Sequence, residues 1–143
     1  MFESPGISYT KFHNANVAVD DNSYNLVVPD SNSLYLGWTD TNEWVNYTVD
    51  VAERGEYSIT TMYTSQHGGH ISLSVNGTDV TGPIEVMSTR VAADTVQWRQ
   101  AHHWNRATIV PRVHLEAGRQ LLTLHVLEQP GFNFDYMDFV RLR

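Results

Sequence analysis

The sequence predicts an all-β domain, folded as a sandwich or barrel, and three observations support this prediction. Short segments alternate apolar and polar residues with a period of two, the pattern of strands that bury one face. Turn signals rich in Gly, Asn and Asp separate these segments, and no segment shows helical periodicity over about ten residues or more. The 143 residues contain no internal repeat and no linker, so we expect one domain over residues 1–143.

The strands of the N-terminal half become regular only after a polar start. Residues 1–36 are rich in Asn, Asp and Ser, with a candidate edge strand at 7–12 and a second candidate strand at 16–19. From Glu43 the alternation becomes regular and predicts half-buried strands joined by turns. The Asn76-Gly77 pair is a strong hairpin signal. The strands predicted here are residues 45–51, 57–63 and 71–75.

The C-terminal half places a long loop between further strands. Residues 88–105 contain two tryptophans and two histidines without alternation, which predicts a loop. Pro111 lies in the strand that follows, and because proline has no N–H to donate, we expect an edge position. In the last strand, Phe132, Phe134 and Tyr136 are predicted to form the packing side. The strands predicted here are residues 83–87, 107–115, 120–127 and 132–142.

Composition excludes several classes of function. The net charge of −7, with Lys11 as the single lysine, argues against nucleic acid and anionic membranes and favours a neutral ligand. The absence of cysteine excludes a disulfide framework, Cys-ligated zinc and a thiol nucleophile. No run of about 18 apolar residues predicts a transmembrane helix, and no signal peptide is recognisable. We therefore expect a module excised from a larger secreted or cell-surface protein.

Four tryptophans are the strongest candidates for ligand contact. Aromatic rings bind sugars through the apolar C–H faces of the pyranose, while nearby amides and carboxylates hold the hydroxyls. Trp38 and Trp104 lie in loop-like surroundings, which favours exposure. Trp44 and Trp98 better fit the alternative that applies to all four, a buried packing role.

The final strand offers Asn133 and Asp135 between its aromatic residues. Asn133 could hold a sugar hydroxyl or bond to backbone, and Asp135 could bind Ca²⁺ or accept hydrogen bonds in a turn. Histidines at four positions lack the spacing of a zinc site, so solvated loop histidines are the expectation. A glycosidase needs two carboxylates in one cleft, and the candidates form no recognisable pair. These histidines and acids are His67, His70, His102 and His103, and Asp40, Glu43, Asp94 and Asp135.

Three segments resemble the family 6 carbohydrate-binding modules of microbial polysaccharide-degrading enzymes. Residues 37–49 read G-W-T-D-T-N-E-W-V-N-Y-T-V and are similar to the family's glycine, aromatic and acid-Trp pattern. Residues 113–118, V-H-L-E-A-G, and residues 131–136, G-F-N-F-D-Y, resemble its V-x-L-x-A-G turn and its terminal motif. The resemblance covers residues 6–142.

The resemblance implies a jelly-roll sandwich of two antiparallel sheets with a binding cleft in the loops at one end. It implies that Trp38, Trp104 and Asn133 contact the ligand, with Trp98 and His103 as further contacts. Some members have a second cleft on a sheet face, to which Trp44 would correspond. The resemblance also implies a structural Ca²⁺ held by Asp135 and by the N-terminal position that is Thr10 here.

The resulting expectation is a non-catalytic, monomeric module that binds a neutral plant or algal polysaccharide, with β-glucan or xylan favoured. It would keep a linked glycoside hydrolase near its substrate. Two alternatives stay open: a small glycoside hydrolase or lyase, and a cell-surface adhesion domain with buried tryptophans.

Overall fold

The structure is a computed structural model that describes residues 8–11 and 34–143, and strands dominate it. A single 3-10 helix within these residues covers Gln97–His102. The predicted strand at residues 16–19 lies outside the described residues. The strands are β1 Ser8–Lys11, β2 Leu34–Gly37, β3 Trp44–Val51, β4 Gly55–Ser65, β5 Gly69–Val75, β6 Thr78–Asp79, β7 Ile84–Val86, β8 Asn105–Leu115, β9 Gly118–Glu128 and β10 Phe132–Arg141.

Two antiparallel sheets form a β-sandwich jelly roll, which confirms the predicted fold class. The first sheet has the order β1-β2-β10-β4-β8, and the second has the order β3-β9-β5-β6, with β7 also paired to β5. The strand containing Pro111 is at the edge of the first sheet, as expected, and β1 is at its other edge. Within the described residues no helix is long and apolar enough to cross a membrane.

The main core lies between the sheets, where the alternating apolar residues of both meet. Ile59, Leu73 and Phe132 are fully buried there. Because successive strand residues point to opposite faces, Met62 points away from this core. Met62 joins Tyr35 and Trp104 in a second, smaller core on the outer face of the first sheet. Through Trp104, residues 87–104 thus share a small core with β2 and β4.

Two differences from the sequence prediction concern short-range features. Strand β2 was not predicted, because it is four residues long and follows a polar stretch. The expectation that Tyr136 packs inward is wrong, since its side chain is 39% exposed. A bulge between Phe134 and Met137 shifts the register of β10 against β4, so Met137 and Phe139 pack against the core instead.

Candidate carbohydrate cleft

A cleft of about 450 Å³ lies at the end of the sandwich where β4 ends and β10 begins. Four segments line it: the chain after β2, the turn after β4, the 3-10 helix and the chain before β10. No lysine or arginine is among the described residues that line it. They are Trp38, Thr39, Asp40, Gln66, His67, Ala101, Pro130 and Gly131.

Trp38 is the main apolar surface of the cleft. Its side chain is 75% exposed, the highest value among the large apolar residues described. Its backbone has a φ of 60°, in the left-handed region that is unfavourable for an L-residue by about 1–2 kcal/mol. Since this conformation directly follows β2, it turns the indole out of the sheet and away from the core.

Hydrogen bonds on both sides of the chain hold this conformation in place. The Thr39 hydroxyl donates to the Phe132 carbonyl at 2.9 Å, and the Thr39 carbonyl accepts from Gly131 N–H at 2.9 Å. The buried Glu43 carboxylate accepts the Asp40 N–H at 2.7 Å. The exposed ring therefore stands on a rigid base, which lowers the entropy lost when a ligand stacks on it.

A turn of Gln66 to Gly69 supplies the second wall. The Ser65 hydroxyl accepts the Gly68 N–H at 2.9 Å, and both glycines have positive φ. A Cβ at Gly69 would lie 2.5 Å from the Glu128 carbonyl oxygen, so a side chain does not fit there. The turn presents the exposed His67 and the partly buried Gln66 to the cleft. These polar groups were interpreted from the sequence only as parts of a turn.

Ala101, on the 3-10 helix, supplies the third wall. Its carbonyl oxygen accepts two hydrogen bonds, from the Thr64 hydroxyl at 2.6 Å and from the Asn133 amide at 2.8 Å. The same Asn133 amide also donates to the Thr64 hydroxyl at 2.8 Å. No sequence pattern predicted a role for Ala101, because its position depends on partners from two strands that are distant in sequence.

Asn133 therefore differs from its expected placement. It is only 9% exposed, it is not among the residues that line the cleft, and its amide N–H groups bond to Thr64 and Ala101. In this arrangement its role is to support the wall, not to form the surface of the cleft.

Trp104 is buried, although the sequence predicted that it would be exposed. The ring is 2% exposed and packs edge-on against Tyr35, with ring centroids 5.1 Å apart. Its expected exposure is wrong, because the long loop folds over the outer face of the first sheet and buries the ring there. Trp104 therefore does not face Trp38 across this cleft.

His103 is also buried, at 1% exposure, and its Nε2 lies 2.8 Å from the Asp94 carboxylate. Arg99 donates to the same carboxylate from Nε and Nη2, at 2.6 and 2.7 Å. These hydrogen bonds from Arg99 lower the pKa of Asp94 well below its usual range, against burial, which acts to raise it. The expected ligand contact at His103 is thus replaced by a buried ionic network.

A known family of modules matches most of this chain. The family model for "Carbohydrate binding module (family 6)" matches residues 10–141. The chain belongs to this family. No curated protein sequence matches the chain. Carbohydrate binding without catalysis is the activity that membership in family 6 indicates.

Solved structures support the fold of this family 6 module. The module of Cellvibrio mixtus lichenase 5A, solved with cellotriose, is 17% identical with a TM-score of 0.65, over 99% of this chain and 92% of that chain. The C-terminal family 6 module of a Zobellia galactanivorans laminarinase is 15% identical with a TM-score of 0.65, over 98% and 93%. A family 35 module from Clostridium thermocellum is 18% identical with a TM-score of 0.61, over 95% and 92%.

The other two tryptophans of the module lie elsewhere. Trp98 belongs to the 3-10 helix, and its side chain lies outside what the structure describes. Trp44 is partly buried at the start of β3, opposite His125 of β9. On that sheet face the Ser74 hydroxyl bonds to His125 Nε2 at 3.0 Å. Trp44 is therefore not among the residues that line the Trp38 cleft.

The predicted calcium ligands gain no further acidic partner from the described residues. Thr10 pairs with Tyr35 through the backbone of β1, and its side chain lies outside the described part of the chain. Asp135 lines a groove of about 480 Å³ between β3 and β10, together with Tyr47 and Phe139. Over residues 8–11 and 34–143, no group of three or more His, Asp or Glu side chains could hold a metal ion. The structural Ca²⁺ at Asp135 and Thr10 therefore stays a prediction.

The four acids considered from the sequence lie in different parts of the structure. Asp40 lines the cleft, whereas Glu43 is buried beneath it and accepts a backbone hydrogen bond. Asp94 is enclosed by its own loop, and Asp135 lines the separate groove. These carboxylates do not converge on one bond of a substrate.

Proposed function

We propose that this module binds a neutral plant or algal polysaccharide, a β-glucan or a xylan, through the Trp38 cleft. The exposure of the Trp38 ring is the observation that carries the proposal, because a flat apolar face is what stacks on a pyranose. Asp40, Gln66 and His67 surround it with hydrogen-bonding groups for sugar hydroxyls. A lining without lysine or arginine, in a chain of net charge −7, favours a neutral ligand over an acidic one.

The expected affinity is modest. A ring that buries on the order of 100 Å² against a sugar contributes about 2–3 kcal/mol at ~25 cal/mol/Å². A cleft with one aromatic wall and a few hydrogen bonds, less the cost of immobilising the ligand, should reach a Kd of roughly millimolar to high micromolar. Such binding suits a module that works beside another domain.

We propose that the module belongs to a longer secreted or cell-surface protein, where it would keep a linked glycoside hydrolase near its substrate. Binding to a polysaccharide raises the effective concentration of substrate around a tethered active site without any new contact to that site. A single module acting as a monomer is sufficient for this role.

The decisive experiment compares two tryptophan variants by affinity gel electrophoresis in soluble mixed-linkage β-glucan and soluble xylan. Trp38→Ala should lose about 2 kcal/mol of binding or more, which abolishes visible retardation at this affinity. Trp44→Ala, a matched change at a tryptophan that does not line the cleft, should be retarded like the native module. Full retardation of Trp38→Ala would refute the proposal, and loss of retardation in Trp44→Ala alone would move the site to the sheet face.

A further inference from the structure

An ionised carboxylate lies buried in the long loop of residues 87–104, outside both sheets. The Asp94 side chain is 0% exposed. A charge removed from water is strongly unfavourable unless it is paired and hydrogen-bonded, so this placement requires a full set of partners.

The hydrogen-bond partners of that carboxylate in the described structure come from the same loop. Arg99 approaches from one side with two N–H groups, at 2.6 and 2.7 Å. The Val96 N–H donates at 3.0 Å and His103 Nε2 at 2.8 Å. These hydrogen bonds of the carboxylate therefore act on the shape of the loop itself.

Gln100 extends the network along the loop. Its amide donates to the carbonyl oxygens of Val91 at 2.8 Å and Asp94 at 2.7 Å. Its own side-chain oxygen accepts the Val91 N–H at 3.0 Å. Gln100 thus connects the 3-10 helix to Val91 and Asp94, in the segment that precedes it.

Ala101 transfers this shape to the cleft. It directly follows Gln100, its carbonyl oxygen meets Thr64 and Asn133 of the first sheet, and it lines the cleft with Trp38. A second attachment joins the start of the loop to the sheet, because the Thr89 N–H donates to the Ser65 carbonyl oxygen at 2.7 Å. The loop thus reaches the sheet at the residues that precede the Gln66 turn.

We infer that Asp94 is a positioning residue for carbohydrate binding: its carboxylate sets the conformation of the 3-10 helix and thereby places Ala101 as the wall of the Trp38 cleft. This inference rests on the proposed function, and it adds a residue that touches no ligand. The carboxylate connects Val96, before the 3-10 helix, with His103, after it. Without these hydrogen bonds the helix shifts, and Ala101 moves away from the Trp38 ring.

The test uses Asp94→Asn, which keeps the size of the side chain and removes its charge. Asp138→Asn is the matched control, because Asp138 also pairs with an arginine, Arg106, but on the exposed face of the first sheet. Binding to soluble mixed-linkage β-glucan and xylan is measured by affinity electrophoresis, and amide hydrogen exchange is measured in the free protein.

We expect Asp94→Asn to bind about tenfold more weakly than the native module. We also expect faster amide exchange over residues 96–103, with native exchange in β4 and β9, because the loop opens locally. Asp138→Asn should match the native module in both measurements. Faster loop exchange with native affinity would overturn the inference, and so would native exchange in the loop.

A second variant covers the case in which Asp94→Asn fails to fold. Arg99→Gln removes the paired N–H donors but leaves the bonds from Val96 and His103, and Arg99 is partly exposed. Native affinity in Arg99→Gln would then overturn the inference, and weaker binding with faster loop exchange would support it. Binding that survives Trp38→Ala would refute the proposed function, whereas faster loop exchange in Asp94→Asn would still support the placement of Ala101 by Asp94.

Discussion

The two ends of the first sheet are built in different ways. At the cleft end, residues 87–104 form a long loop that shares a small core with the first sheet and contains a buried ion pair between Asp94 and Arg99. At the far end, β8 turns directly into β9 through Gly118, and the charged groups there stay in solvent. Closing a sandwich requires only the short turn. The additional structure at the cleft end serves to hold a surface.

Trp104 and Trp38, both at the cleft end, differ in their burial. Trp104 is 2% exposed and packs against Tyr35 and Met62 of the first sheet, while Trp38 is 75% exposed. The buried ring supports the position of the wall, and the exposed ring offers a face to a ligand. Substitutions at these two positions should therefore separate stability from binding.

The largest effect is expected for Trp104→Ala. Removing a buried tryptophan leaves a cavity and should lower the free energy of unfolding by about 3–5 kcal/mol. Urea denaturation of Trp104→Ala and Trp38→Ala, measured side by side, tests this. A loss below about 1 kcal/mol for Trp104→Ala would mean that the loop core contributes little and that the two tryptophans do not differ as described.

A smaller effect is expected from the backbone of Trp38. Because only glycine adopts a φ of 60° without strain, Trp38→Gly should be more stable to urea than Trp38→Ala by about 1 kcal/mol. Both variants should fail to bind polysaccharide, since both lack the ring. Equal stability of the two variants would show that the left-handed conformation relaxes once the indole is gone.

The smallest effect is expected at the far end, from His114. Hydrogen bonds from its ring to Glu56 and then to Glu116 raise its pKa above the usual value. A raised pKa in the folded state stabilises the protein fully below about pH 6.5, and this contribution is lost as pH rises through the folded pKa.

The measurement is the difference in urea midpoint between the native module and His114→Gln, at about pH 6 and about pH 9. The difference should be larger at the lower pH and small throughout, because the side chains involved are exposed. Polysaccharide binding should not change in this variant. A difference that grows toward high pH would contradict the assigned ion pairs.

The sequence predicted the fold better than it predicted the site, for physical reasons. Alternation marked β3, β4 and β5 because each buries one face, and the Asn76-Gly77 turn was confirmed by positive φ at both residues. The bulge at Asp135 and Tyr136 was not predictable, because one extra residue in a strand leaves no mark in the alternation before it.

Within the site, Trp38 was placed correctly as an exposed loop residue, since its neighbours Gly37 and Asp40 favour a turn. Trp104 was misplaced because its burial depends on Tyr35 and Met62, which are distant in sequence. A polar loop whose tryptophan packs on the sheet looks the same in sequence as one whose tryptophan is exposed. Contact of Trp98 with a ligand stays a prediction.

The Asp94 carboxylate finds its hydrogen-bond partners inside residues 87–104, and this has a consequence for protein engineering. A loop that satisfies its buried charge internally can be exchanged as one cassette, provided that the recipient keeps the groups that receive it. Here these are Thr64, Ser65 and Asn133, with Tyr35 and Met62 beneath the ring of Trp104. Libraries that vary the loop between these fixed points should change which sugar fits beside Trp38 while leaving the sandwich intact.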